Sequence, residues 1–397
     1  MRKRIAVMER TLRILVVVDL PWDARLGAAR VFIELAEAWQ EAGHSVSKFC
    51  LMDAYPAPTS SGFLSAWRQL LFPRRAAAFV RRNADRFDVI DALLGTLPFP
   101  KKRLGFAGLL VARSVGLYRL YQDFERMAQD KWPDQPRGKF LGRVYYTFIK
   151  KRMFQASERA LQHSDLLNLP NEDEVHFLRG EVGSDKPAIV QPYGLTAERR
   201  RAFEQMAAPA RVRLAERKIS FVGTWNPRKG TKDWGEIIRR VRERVPEVRF
   251  VFLGTLTEDR NVLRDLALPQ HNFVDLVAEY QPDELPKFLS DSTVGAFPSY
   301  AEGFGFAVLE QLASGIPTVA YDSPGPRSLL RDLPELLVPI GDVERFAATL
   351  VRIMQYDASA YEQLSQRSVE VANRFNWSTI AQGTAHSYQE HLVAAGS

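Results

Sequence analysis

Short apolar runs alternate with longer amphipathic stretches along most of this chain, the pattern of parallel α/β units. Residues 14–18 predict a first strand, followed by a loop through Gly27 and a helix near 29–42 that Gly43-His44 ends. A strand follows at 45–49, and further strands are expected at 89–92, 109–113, 166–169 and 188–191. Polar and basic segments between them make the first half irregular. The second half is more regular: strands at 219–222, 249–253, 272–275, 293–297 and 318–321 alternate with helices near 234–245, 258–266 and 283–290. The charged stretch 197–218, which contains Pro209, reads as a partly helical linker.

A length of 397 residues exceeds one ordinary core and predicts two domains, at 1–196 and 218–379, joined through 197–217. The fold class is α/β, with two Rossmann-like doubly wound domains whose ligands sit at the carboxyl ends of the strands. Hydrophobic content of 46% beside 25% charged residues is that of a globular protein. A single cysteine, Cys50, forms no internal disulfide, so nothing argues for an oxidising compartment. The apolar run 14–20 falls short of the roughly 20 residues that span a membrane. Arg2, Lys3 and Arg4 begin like a signal peptide, but Glu9, Arg10 and Arg13 interrupt any apolar region, and a cytoplasmic location is expected.

Charge is unevenly placed. Residues 1–196 hold 30 Lys and Arg against 21 Asp and Glu, whereas residues 197–397 hold 24 against 26. The whole positive excess lies in the first half and predicts an acidic partner there.

Candidate chemistry is concentrated at 299–322, where Glu302 and Glu310 frame a turn containing Gly303 and Gly305 that runs into a helix. Amides at such a turn, with the positive end of the helix behind them, suit a diphosphate. Ionised carboxylates accept hydrogen bonds only and suit hydroxyl groups. If the intervening segment is mostly helical, eight residues separate the glutamates by roughly 12 Å, about the span from a sugar ring across a diphosphate to a ribose. The motif reads as a nucleotide-sugar clamp.

This arrangement resembles the Glu-x7-Glu signature of family-four (group 1) retaining glycosyltransferases of GT-B architecture. Phe221-Val-Gly223-Thr224-Trp-Asn-Pro-Arg228-Lys229-Gly230 resembles that family's strand and turn with a donor-phosphate lysine. The stretch from Phe273 through Val277 to Leu285, then Phe297-Pro298-Ser299, has the family's cadence, and Ser323-Pro-Gly325-Pro-Arg327 is similar to its later glycine turn. The resemblance implies that Glu302 is catalytic and lies beside the transferred sugar, and that Glu310 binds the ribose. It further implies donor contacts at Gly27, Gly223, Thr224, Arg228, Lys229, Val277, Gly303, Phe304, Gly305, Phe306, Val308 and Leu309, with Arg113 and Ser114 on the acceptor side. A C-terminal helix near 380–397 would return to the first domain.

Two positions depart from the family. Thr224 stands where many relatives carry arginine, leaving Arg228 to supply that charge, and Val115 stands where relatives carry histidine before the glycine. These departures motivate an alternative, a non-catalytic GT-B protein that binds a nucleotide sugar or partners an active transferase. A GT-B sugar-nucleotide epimerase is disfavoured by the glutamate motif.

No cofactor and no metal are expected: the six histidines form no cluster at ligand spacing, and no Asp-x-Asp pair occurs. The expected partners are a nucleotide sugar and an acidic or lipid-linked glycan acceptor. Nucleic acid is not expected, because no recognition motif accompanies the charge. Arg137, Lys139, Arg143, Lys150, Lys151 and Arg152 are interleaved with Phe140, Leu141, Tyr145, Tyr146, Phe148 and Ile149. Arg74, Arg75, Arg81 and Arg82 surround Phe72 and Phe79. Both segments suit peripheral contact with an anionic membrane and equally suit amphipathic helices with solvated basic faces.

Overall fold

A computed structural model describes residues 10–24, 26–59, 61–132 and 140–396. The chain divides into two compact units. The first takes the residues up to Arg119, then Trp132–Tyr193 and the segment from Trp377; the second takes Leu120–Lys131 and Gly194–Asn376.

Among the described residues the first unit carries a six-stranded parallel sheet in the order β2-β1-β3-β4-β5-β6. Its strands are β1 (Arg13–Val17), β2 (Ser45–Phe49), β3 (Val89–Leu93), β4 (Leu109–Arg113), β5 (Leu166–Leu169) and β6 (Ala188–Val190). β1, β3, β4 and β5 read as nearly unbroken apolar runs because each is covered on both faces. The Gly27–Glu41 helix packs on the C-terminal helix Trp377–Gly396: Trp39 Nε1 donates to the Ala381 carbonyl at 3.1 Å, and the Trp39 and Tyr388 rings lie 6.0 Å apart. The C-terminal helix therefore completes this unit's core.

At its centre lies a buried polar network. Arg113, at the end of β4, donates to both carboxylate oxygens of Asp91 on β3, to Gln191 and to the Tyr388 hydroxyl, and both charged side chains have 0% exposure. Asn168 on β5 donates to Gln191 and Tyr388 at 2.7 and 3.1 Å. The network ties three strands to the C-terminal helix, at the cost of desolvating two charges.

The second unit repeats the plan, with a sheet ordered β12-β11-β10-β7-β8-β9. Its strands are β7 (Lys218–Val222), β8 (Arg249–Leu253), β9 (Val274–Val277), β10 (Val294–Phe297), β11 (Thr318–Tyr321) and β12 (Leu337–Val338). Two local expectations change. Residues 197–217, read from sequence as a partly helical linker between domains, fold as the helices Ala197–Met206 and Ala210–Glu216 and belong to this unit. Buried Phe203 and Arg213 anchor them, Arg213 by donating to the carbonyls of Ser290 and Ser314. The strand expected at 272–275 begins at Val274, because Asn272 and Phe273 lie in a turn closed by Val274 N donating to the His271 carbonyl. No helix among the described residues is long and apolar enough to cross a membrane.

Candidate functional site

β7 and β10 are neighbours in one parallel sheet, so the turns leaving their carboxyl ends lie side by side. Aromatic packing holds the turn after β7. The Trp225 and Trp234 rings lie 5.4 and 4.8 Å from Phe252, each edge-on, and Trp225 Nε1 donates to Asp265. Asn226 then caps a single 3-10 turn, Pro227–Lys229, by accepting from the Lys229 amide at 3.3 Å.

Gly230 ends that turn with φ +78°, and a Cβ built there would lie 2.1 Å from the Pro298 carbonyl oxygen. Only glycine permits both the backbone angle and the approach. Two further bonds stitch the turns together: Tyr300 N donates to the Arg228 carbonyl at 2.8 Å, and Ser299 Oγ donates to the same oxygen at 3.2 Å.

This stitching brings three predicted side chains to one point. Lys229 Nζ donates to Glu302 Oε2, and Arg228 Nη1 donates to the same oxygen at 3.2 Å and to the Ala301 carbonyl at 2.6 Å. The Ser299 hydroxyl lies 3.3 Å from the same Glu302 oxygen. The Lys229 ammonium also lies 4.6 Å from the Phe297 ring centre and the Arg228 guanidinium 5.2 Å from that of Tyr121. Burial acts to raise the Glu302 pKa, but the two cations outweigh it and hold the carboxyl below its ordinary range. Burial, reinforced by Arg228, lowers the Lys229 pKa although Glu302 opposes the shift.

Gly305 has φ +97° and turns the chain into the Phe306–Ala313 helix. Val308 and Leu309 are fully buried and Phe304 nearly so, its ring edge-on to those of Phe306 and Phe375. These side chains anchor the helix in the core, so any contact from Phe304, Val308 or Leu309 to a ligand is through the backbone. Gly303 is buried with them.

Glu310, one helical turn further, is paired. Arg199 donates to Glu310 Oε1 from Nε at 3.1 Å and Nη2 at 2.7 Å, and from Nη1 to the Pro282 carbonyl at 3.0 Å. The Thr224 hydroxyl accepts from Asn226 Nδ2 at 2.7 Å. Gly223 leads into the turn with φ +153°, next to the Lys229 side chain. Val277 ends β9, two strands from β7 and so roughly 10 Å across the sheet.

The remaining candidates lie in the first unit. Gly27 is the first residue of the Gly27–Glu41 helix, and a Cβ there would meet nothing within 4 Å, so neither backbone nor space demands glycine. Arg113 and Ser114 were expected on the acceptor side, but neither is accessible. Arg113 is held in the network described above, and Ser114 donates to Glu174 Oε2 at 2.8 Å. Their burial follows from β4 being an inner strand with cover on both faces.

Several site residues escaped sequence reading. Arg199 sits in a run of three arginines that resembles a solvated charged stretch. Asp233 accepts from the hydroxyls of Tyr300 and Tyr321, each at 2.7 Å, while Lys131 Nζ donates to the Tyr300 hydroxyl at 2.7 Å. Burial first, and the Asp233 carboxylate next, raise the pKa of Tyr300, so it stays a neutral phenol. A tyrosine preceding the motif glutamate by two residues was the one available signal.

Residues 216–356 match the family model described as glycosyl transferases group 1. They form a group 1 glycosyltransferase domain. The group 1 domain is similar to relatives over a longer span. A D-inositol 3-phosphate glycosyltransferase of Kribbella flavida is 29% identical over 66% of this chain and 62% of its own length. An MMP alpha-(1->4)-mannosyltransferase of Mycolicibacterium hassiacum is 25% identical over 81% of this chain and 75% of its own. The chain spans 62%, 59% and 53% of three D-inositol 3-phosphate glycosyltransferases it matches.

Beyond the group 1 domain, the fold extends over the whole chain. Sucrose-phosphate synthase from Thermosynechococcus elongatus superposes with a TM-score of 0.71 at 18% identity, covering 96% of this chain and 100% of that one. Anabaena HepE in complex with UDP superposes with a TM-score of 0.65 at 16% identity, over 96% and 100%. The architecture is GT-B, two Rossmann-like domains.

Proposed function

We propose that this chain is a retaining glycosyltransferase that moves a sugar from a nucleotide-diphosphate sugar to an acceptor hydroxyl. The convergence of Lys229 and Arg228 on Glu302 carries the reading. In such a transfer the bond between the anomeric carbon and a diphosphate oxygen breaks, and negative charge grows on the diphosphate. Two adjacent cations beside a glycine turn and a helix N-terminus suit that charge.

A diphosphate bound here competes with Glu302 for both cations. It thereby releases the lone pairs of Glu302 for the hydroxyls of the transferred sugar. Glu310, oriented by Arg199, holds the ribose, and backbone groups from Gly303 to Leu309 cap sugar and phosphate. No cofactor or metal enters this reading. Solved structures of the same fold named as complexes with UDP and UDP-glucose support a nucleotide-sugar donor. The positive excess of the first half supports an acidic or lipid-linked acceptor. So do relatives named for D-inositol 3-phosphate and phosphatidyl-myo-inositol.

The test is a panel of nucleotide sugars, read by release of the nucleoside diphosphate and by the anomeric configuration of the product in NMR. Retention, with a loss of about 100-fold or more in kcat for Glu302→Gln, is the expected result. Inversion, or near-normal turnover of the variant, removes the assignment. Val115, in place of the family's histidine, motivates the second reading, a non-catalytic nucleotide-sugar binder. Tight donor binding without turnover on any acceptor would favour it.

A further inference from the structure

The Gly62–Asn83 helix of the first unit contains five arginines and neither aspartate nor glutamate. Its inner face is apolar, with Phe72, Ala76, Ala77 and Val80 buried in the core. Phe79, expected from sequence to edge a membrane-facing patch, instead stacks on Phe49 at 4.5 Å. Phe72 is fully buried and Phe79 partly so, and both pack on the core.

The outer face is amphipathic along its length rather than around its circumference. Phe63 is 61% exposed, Leu64 43% and Leu71 38%. Spacings of three and four residues carry the same stripe on to exposed Arg74, Arg75, Arg81 and Arg82. The Phe63 and Trp67 rings lie 6.2 Å apart edge-on, giving the amino-terminal end a contiguous aromatic surface. Met52, 56% exposed, belongs to the short helix beside it. From Phe63 to Arg82 the stripe runs about 28 Å.

We infer that this face docks flat on an anionic lipid bilayer, with Phe63, Leu64 and Leu71 entering the headgroup boundary and the arginines meeting lipid phosphates. Exposed large apolar groups with arginines on one helix face, and no carboxylate on that helix, match what an interfacial helix requires. Trp67 suits the headgroup level because its ring is apolar while its indole N–H can meet polar headgroups, and Phe63 adds apolar area beside it. A second copy of the chain is the poorer occupant, since a self-complementary contact would set the arginine cluster near its own image. A nucleic acid would use the arginines but would leave Leu64 and Leu71 in water. This inference stands on the first unit alone and holds whatever the donor reading becomes.

Sedimentation with vesicles tests it on the intact chain, comparing pure phosphatidylcholine with a mixture of about 70% phosphatidylcholine and 30% phosphatidylglycerol. Binding to the anionic vesicles alone, weakened by salt, is expected. Arg74→Gln with Arg81→Gln should lower the partition coefficient roughly 25-fold, at about fivefold per arginine. Leu64→Ser with Leu71→Ser should lower it at unchanged net charge, which a purely electrostatic contact would not do. All four positions are exposed, and circular dichroism checks that both variants fold. Equal binding to neutral and anionic vesicles, or unchanged partition in either double variant, overturns the proposal. So does an oligonucleotide that binds more tightly than the vesicles and is lost on Arg74→Gln with Arg81→Gln.

Discussion

Arg199 donates two hydrogen bonds to the same oxygen of Glu310, across 111 residues of sequence, with side-chain exposures of 14% and 6%. The fork holds the second glutamate of the motif in one orientation. Removing one member of so buried a pair leaves an uncompensated charge. Arg199→Ala should destabilise the second unit by about 3 kcal/mol in urea unfolding, with Arg199→Lys recovering only part because an ammonium lacks the fork. A change below about 1 kcal/mol would rank the pair with ordinary surface bridges.

Lys229→Ala should weaken nucleoside diphosphate binding roughly 10- to 100-fold, the worth of a charge-assisted bond, with calorimetry as the measurement. Unchanged affinity would count against a phosphate contact.

The Glu302 ion pair should also leave a signature in acid. Its folded pKa lies below its unfolded one, so the stabilisation is present above the ordinary carboxylate range. It is lost as pH falls through the folded value. Thermal unfolding followed downward from neutral pH should show this loss in the native chain and a flatter profile in Glu302→Gln.

Gly230→Ala should cost about 2 kcal/mol or more, because the side chain meets the Pro298 carbonyl at an unfavourable φ. Diphosphate affinity should fall with it, since Lys229 is the preceding residue. Gly27→Ala is the control. With open space at that position it should stay within about 0.5 kcal/mol of the native chain.

Glu174 is buried, and burial raises its pKa from 4.5 to about 8, although bonds from Ser114 and the Leu117 amide oppose the shift. The folded unit therefore holds a proton that the unfolded chain releases. Its stabilisation is fully present below about pH 4.5 and is lost as pH rises through about 8. Glu174→Gln should remove that slope, raising Tm relative to the native chain at pH 8 and matching it near pH 4.5.

Asp91→Asn preserves volume but strips Arg113 of its counter-ion, both side chains having 0% exposure. A loss of about 3–5 kcal/mol in the first unit is expected from chemical unfolding. A near-neutral result would mean that Gln191 and Tyr388 alone satisfy the guanidinium.

The inner strands of both sheets were legible because strands covered on two faces must be apolar along their whole length. The glycines and glutamates of the motif were legible because a tight turn into a helix restricts residue types locally. The 197–217 stretch was legible as partly helical but not as part of the second unit: few of its residues are buried, and charge dominates the local pattern. The family resemblance set Arg113 on the acceptor side, and its burial was hidden because only the approach of Asp91, Gln191 and Tyr388 from distant positions makes a buried guanidinium tolerable.

By itself, the order of residues determined the α/β alternation and the glycine turn that leads from Glu302 into a helix, since each depends on neighbours within a few positions. Tertiary structure alone decided which charges meet. Lys229 and Arg228 share one oxygen of Glu302, Arg199 crosses to Glu310, and Tyr388 closes the first unit from the far end of the chain. Such pairings join residues 73 to 297 positions apart. They are set by sheet order and helix packing, which a local pattern of side chains does not encode.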